Sequence, residues 1–125
     1  MSKTVLIVDD EEYIVTSLEY VVKSAGYEVV IAYDGEQAME KVTATVPDLL
    51  ILDVMMPKLD GFEVCEKIRA NPLWKSIRII MLTAKGRDSE REKGMSLGAD
   101  AYMTKPFSTR DILKRVEELL GDSET

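Results

Sequence analysis

Residues Asp48 to Gly61 read DLLILDVMMPKLDG. Leu49, Leu50, Ile51 and Leu52 make a short continuous apolar run between polar and turn residues, the pattern of a strand buried on both faces of a parallel sheet. Asp53 ends that run, and Pro57 and Asp60-Gly61 just beyond it mark a loop. A carboxylate at this point emerges at the C-terminal edge of the strand, where open α/β sheets keep their ligand crevice. Taken alone, Asp53 is equally a polar residue that opens a loop.

Working outward, the chain alternates strand and helix patterns. Thr4 to Val8 is a first apolar run, followed by Asp9, Asp10, Glu11 and Glu12, acids suited to a helix N-terminus. Ile14, Leu18, Val21, Val22 and Ala25 recur at helical spacing, and Gly26 stands at the stop position. Tyr27 to Tyr33 predicts a second strand. Asp34-Gly35 turns the chain into a helix that uses Ala38, Met39 and Val42, and Pro47 closes it. Phe62 to Ala70 predicts a third helix ending near Asn71-Pro72, and Ile77 to Leu82 a fourth strand ending at Thr83. Asp88 to Leu97 is the weakest helical pattern, with Gly94 inside it and few apolar positions. Ala101 to Met103 is a short fifth strand. Ser108 to Leu120 predicts a strong last helix, with Ser108 and Asp111 as a capping-box-like pair and Ile112, Leu113, Val116, Leu119 and Leu120 on one face. Five such βα units imply a parallel sheet with helices on both faces. Gly121 to Thr125 reads as a loose tail, so residues 1–125 are expected to form one domain.

Composition narrows the function. The chain has 125 residues, 46% hydrophobic and 31% charged, the profile of a folded domain with one core. It has no spanning apolar run and no signal-peptide pattern, which makes a cytoplasmic location the expectation and a membrane partner unexpected. The formal charge of −7 argues against gripping nucleic acid by its phosphates. The single cysteine, Cys65, shares a helix side with Ile68 and reads as a buried structural thiol. With no histidine in the chain, no histidine base, metal site or phosphohistidine can be built.

In a parallel sheet all C-terminal strand ends share one edge, so Asp9 and Asp10, Asp53, Thr83 and Lys105 converge. Three neighbouring acids repel, and at least one pKa rises unless a cation sits among them. Oxygen ligands without histidine or cysteine select Mg²⁺ or a similar hard ion, which commonly shares its shell with a phosphoryl group. Lys105 and Thr83 are the residue types to hold a phosphoryl oxygen, by charge and by hydrogen bond.

VLIVDDEE at Val5 to Glu12, DLLILDVMMPKLDG at Asp48 to Gly61, IIMLTAK at Ile79 to Lys85 and GADAYMTKPF at Gly98 to Phe107 together resemble the receiver domain of the two-component response-regulator family, chemotaxis-regulator-like, over essentially the whole chain. The resemblance implies a doubly wound, flavodoxin-like (βα)5 fold with strand order 2-1-3-4-5. It implies Asp53 as phosphoacceptor; Asp9, Asp10, Asp53 and the Met55 carbonyl as Mg²⁺ ligands, with Mn²⁺ as a substitute; Thr83 as switch hydroxyl; Lys105 as phosphoryl-binding lysine; Tyr102 as switch aromatic; and a cis bond before Pro106. It also implies a signalling switch rather than a turnover enzyme, assisting its own phosphorylation and dephosphorylation. Lacking a histidine and a G-x-x-x-x-G-K-[ST] loop, the chain must take its phosphoryl group from outside, from a histidine kinase or a histidine phosphotransfer protein.

Further expectations concern output. On phosphorylation Thr83 moves towards Asp53, Tyr102 turns inward, and the weakly held Asp88 to Leu97 helix responds. The surface of that helix, the fifth strand and the last helix then docks a downstream target, a C-terminal output domain or a second copy. Arg91, Asp100, Asp111 and Arg115 supply both signs of charge there, although Ala101 lacks an acid that dimerising members tend to carry. Met55 and Lys85, two residues beyond Asp53 and Thr83, flank the approach of an attacking water, which Met55 cannot orient, so slow self-hydrolysis is expected. The chain is either a stand-alone regulator or the receiver of a longer protein. A haloacid-dehalogenase-type phosphatase would need a D-x-D motif where Asp53-Val54-Met55 stands, and a flavin carrier would need a phosphate loop where Asp9 to Glu12 stand.

Overall fold

The apolar runs are strands, and their side chains alternate between two cores. The computed structural model describes residues 3–84 and 88–121. In chain order the elements are β1 (Thr4–Val8), α1 (Glu12–Ser24), β2 (Glu28–Ala32), α2 (Gly35–Thr45), β3 (Leu49–Asp53), α3 (Gly61–Ala70), a 3₁₀ turn (Pro72–Trp74), β4 (Arg78–Ala84), α4 (Asp88–Ser96), β5 (Ala101–Lys105) and α5 (Thr109–Leu120). All pairings are parallel, in the order β2-β1-β3-β4-β5. Val5, Ile7, Leu49, Ile51, Ile80 and Leu82 point to one face and pack with Ile14, Leu18 and Val22 of α1 and Ile112 and Val116 of α5. Leu6, Val8, Leu50, Leu52, Ile79 and Met81 point to the other, against Ala38 and Val42 of α2 and Val64, Cys65 and Ile68 of α3. The period-two alternation of a strand thus divides one sheet between two helical layers. No helix among the described residues is long and apolar enough to cross a membrane.

This order puts β1 and β3 side by side, with Val8 paired to Leu52, while the chain leaves β1 for β2 on one side and β3 for β4 on the other. The loops after β1 and β3 therefore diverge, opening a crevice at the C-terminal edge between Asp9 and Asp53.

Several boundaries differ from the sequence expectation for local reasons. Tyr33 lies outside β2 because its N–H donates to the Gln37 side chain at 2.9 Å, not to a strand. Ile77 belongs to the turn before β4, where its N–H donates to the Trp74 carbonyl. Strand β5 runs on to Lys105 because Thr104 and Lys105 pair with Thr83 and Ala84, a pairing that neighbouring backbone dictates and hydrophobicity does not. At α5 the Ser108 hydroxyl accepts from the Arg110 and Asp111 N–H groups, the serine half of a box. The reciprocal capping box forms at Asp60 and Glu63, at the start of α3. Asp122 to Thr125 of the expected tail lie outside the described residues.

Gly61 shows how tightly α3 is set against β3. A β-carbon there would lie 2.4 Å from the Asp53 carbonyl oxygen and 2.8 Å from Val54 Cα, and neither backbone atom can swing aside. Gly61→Ala is expected to lower stability by about 1–3 kcal/mol, the usual effect of overpacking, measured by denaturant melting; an unchanged midpoint would show that the β3–α3 loop yields freely.

Candidate functional site

The C-terminal edge of the sheet gathers three acids, two of which the fold withdraws from water. Asp9 is fully buried and Asp53 nearly so, whereas Asp10 is exposed. One carboxylate oxygen from each of the three lies within 4.8 Å of the others. Asp9 Oδ1 accepts from the Glu11 N–H at 2.9 Å. Among the described residues Asp9 Oδ2 is buried without a well-aligned hydrogen bond, and the Lys105 Nζ stands 2.9 Å away. A buried carboxylate oxygen left in this state, in an all-oxygen donor set, fits a hard divalent cation such as Mg²⁺.

Lys105, the last residue of β5, reaches across the crevice. Its Nζ is 3.0 Å from Glu11 Oε1 and 3.4 Å from Asp53 Oδ1 as well as 2.9 Å from Asp9. Burial pushes the Asp53 carboxyl up to about 7, the Asp9 charge pushes in the same direction, and Lys105 opposes both. Burial also raises Asp9, against the Glu11 N–H and Lys105. Burial disfavours the Lys105 ammonium, yet its contacts with Asp9 and Glu11 and the Asp53 charge outweigh that, and its pKa lies above the ordinary lysine range. The peptide bond from Lys105 to Pro106 is cis.

Thr83 is almost fully buried. It lies one residue past Leu82, the register partner of Asp53 on β4, and opposite Thr104 on β5. Its hydroxyl donates to the carboxylate of Glu90, in the first turn of α4, and it shares a hydrogen bond with Tyr102. The Tyr102 ring rests against Gly94, 3.6 Å from where a β-carbon would stand.

Comparison with known proteins decides the family. Residues 5–117 match the model of the response regulator receiver domain. The chain belongs to the response regulator receiver domain family. It is 51% identical over 124 residues to the alkaline phosphatase synthesis transcriptional regulatory protein PhoP of Bacillus subtilis, covering 99% of this chain and 51% of that one, so it spans about half the length of that relative. A crystal structure of a Chloroflexus aurantiacus response regulator superposes with a TM-score of 0.92 at 40% identity, over 97% of this chain and 99% of that one. A CheY-like receiver from Methanospirillum hungatei gives 0.90 at 31% identity, over 98% and 96%. The chain is thus a receiver domain of the two-component type, a phosphorylation-activated switch.

The receiver's remaining expected residues are spread out. Met55 stands two positions past Asp53 with its side chain largely exposed, and Lys85 lies outside the described residues. Arg91, Asp111 and Arg115 line one surface depression with Asp88 and Tyr102. Asp100 is engaged elsewhere: its carboxylate pairs with Arg69 at 2.8 Å and Arg78 at 3.3 Å and accepts the Ile79 N–H, which fastens the loop before β5 to α3 and β4. Cys65 is buried, its thiol donates to the Leu97 carbonyl at 3.7 Å, and burial pushes its pKa up to about 11, so it stays a protonated structural thiol.

Two contributors escaped the sequence reading. Glu11 passed as one helix-start acid among four, but at the N-cap it makes no side-chain capping bond and sends its carboxylate to Lys105. Glu90 lies in a helix whose polarity hides any one residue. Nothing local distinguishes it from Asp88 or Glu92; a spacing of seven from Thr83 was the available signal.

A carboxyl with a raised folded pKa contributes stability at low pH that is lost as pH rises through the folded value, because the buried group must then ionise. In metal-free protein, the margin by which Asp53→Asn is more stable than wild type should therefore widen between pH 3.8 and about 7. Thermal melts across that range check it; a constant margin would place the Asp53 carboxylate in a solvated setting.

Proposed function

We propose that Asp53 accepts the phosphoryl group of a phosphohistidine on a partner histidine kinase or histidine phosphotransfer protein, and that the altered domain signals through the α4–β5–α5 surface. An Asp53 carboxylate oxygen forms the new bond to phosphorus while the phosphorus–nitrogen bond breaks and its electron pair returns to the imidazole, leaving an acyl phosphate. Asp9, Asp10, Asp53 and the Met55 carbonyl would hold Mg²⁺, or Mn²⁺ in its place; the ion's contribution when bound is positive charge beside the phosphoryl oxygens. Lys105 adds a second positive charge from the end of β5. The observation that carries this reading is the Lys105 ammonium held between a buried Asp9 and a buried Asp53: two acids and a lysine drawn out of water at a topological switch point are costly for stability and suited to charge-dominated group transfer. The same site assists the later hydrolysis of the acyl phosphate, slowly, because the exposed Met55 side chain offers an attacking water no strong hydrogen bond.

For the output, Arg91, Asp111 and Arg115 around Tyr102 suit a downstream protein target, a C-terminal output domain or a second phosphorylated copy. Asp100 can join them only by sharing or leaving its pairs with Arg69 and Arg78. Direct nucleic-acid contact is disfavoured by the formal charge of −7, and a cytoplasmic setting fits the proposed kinase partner.

Intact-mass measurement after incubation with acetyl phosphate and Mg²⁺ should give one phosphoryl adduct on the wild type and none on Asp53→Asn. An adduct retained by the variant would move the chemistry elsewhere, and an unlabelled wild type would refute the phosphoacceptor reading. Mg²⁺ should raise the melting temperature of wild type, with a smaller gain in Asp10→Asn, since the ion relieves repulsion among Asp9, Asp10 and Asp53. Equal gains in both proteins would rule out Asp10 as a ligand.

A further inference from the structure

The Thr83 hydroxyl has one proton to donate, and here Glu90 takes it. A carboxylate accepts only, and a hydrogen bond to a charged acceptor is stronger than one between neutral groups. A phosphoryl group on Asp53 would bring further charged acceptor oxygens to the adjacent strand. Two acceptors then compete for one buried donor, and the outcome depends on Glu90 as well as on the phosphoryl group.

Glu90 belongs to an element with little else to hold it. Gly94 is the only buried residue of α4, seated on Met81 and the Tyr102 ring, and beyond it Lys93 lies over the Phe62 ring at 4.5 Å. A polar bond from the first turn to the core of β4 is therefore a large share of that helix's attachment. Thr83 also bonds Tyr102, whose ring packs on Gly94 of the same helix, so the hydroxyl joins β4, β5 and α4 at one point. Release of Glu90 removes this bond from the first turn of α4 while Gly94 stays seated on Met81 and the Tyr102 ring, which favours a helix that pivots over one that detaches.

We propose that Glu90 is a positioning residue that holds the Thr83 hydroxyl on α4 and so sets both the affinity of the site for a phosphoryl group and the coupling of that group to the α4 surface. The inference rests on Asp53 being the phosphoacceptor. It makes the resting state an actively stabilised one in which a carboxylate occupies the donor that the phosphoryl group needs.

Beryllofluoride, a phosphoryl mimic, tests this by calorimetric titration of the full chain in Mg²⁺. Glu90→Ala should tighten binding about tenfold, equivalent to ~1.4 kcal/mol. Glu90→Gln, which keeps the shape and a weaker, neutral acceptor, should tighten it by less. In a Thr83→Val background the Glu90→Ala change should alter affinity by less than about twofold, because there is no hydroxyl left to release. Unchanged or weaker binding in both Glu90 variants would overturn the proposal, as would a full gain that persists without the Thr83 hydroxyl, which would assign the effect to a loosened helix. Wild type that binds no beryllofluoride would instead overturn the phosphoacceptor reading itself, so the two failures are distinct.

Discussion

The Lys105 ammonium, in contact with Asp9, Glu11 and Asp53, is the interaction on which the arrangement of the site depends. Asp9 and Asp53 are withdrawn from water at the end of two adjacent strands, where burial raises both pKa values and the Asp9 charge raises that of Asp53 further. A cation is the direct remedy, and a lysine on the edge strand β5, on the far side of β4 from β3, supplies it only if that strand continues far enough. Pairing of Thr104 and Lys105 with Thr83 and Ala84 carries β5 to that length. The site charge and the extent of the edge strand are therefore one requirement seen from two sides. The ammonium offsets the two buried acids without neutralising the whole cluster, since Glu11 also draws on it, which leaves the crevice with a residual demand for positive charge of the kind a divalent ion would meet.

Stability and function are divided between the two layers. The α1 and α5 side is closed by aliphatic side chains from both helices, and α2 and α3 are likewise anchored by buried Ala38, Val42, Val64 and Ile68. In contrast, α4 contributes one buried glycine and relies on a cation–π contact and a hydroxyl–carboxylate bond. Polar contacts of this kind are directional and exchangeable, whereas buried aliphatic surface is neither. A switch needs an element whose attachment can be traded for another of similar energy, and the proposed coupling through α4 draws on that property. The loop before β5 is by contrast fastened by Arg69 and Arg78 on Asp100.

The sequence by itself determined the sheet, its five βα units and the identity of the edge residues. Continuous apolar runs such as LLIL mark buried strands, and the acid, hydroxyl and lysine that follow each run share the C-terminal edge in any parallel arrangement. Asp9, Asp10, Asp53, Thr83 and Lys105 were legible for that reason, as was the weakness of α4. Tertiary structure alone decided what each of these groups touches. Which acids are buried follows from the packing of loops around the switch point, so Asp9 and Asp10, adjacent and identical in sequence, end up fully buried and exposed respectively. Glu11 turning to Lys105, Glu90 accepting the Thr83 hydrogen bond and Asp100 being claimed by two arginines are contacts between residues 94, 7 and up to 31 positions apart. Local pattern reports which way a residue faces along its own element, but a charge settles on the partner that burial leaves it, and burial is a property of the assembled chain.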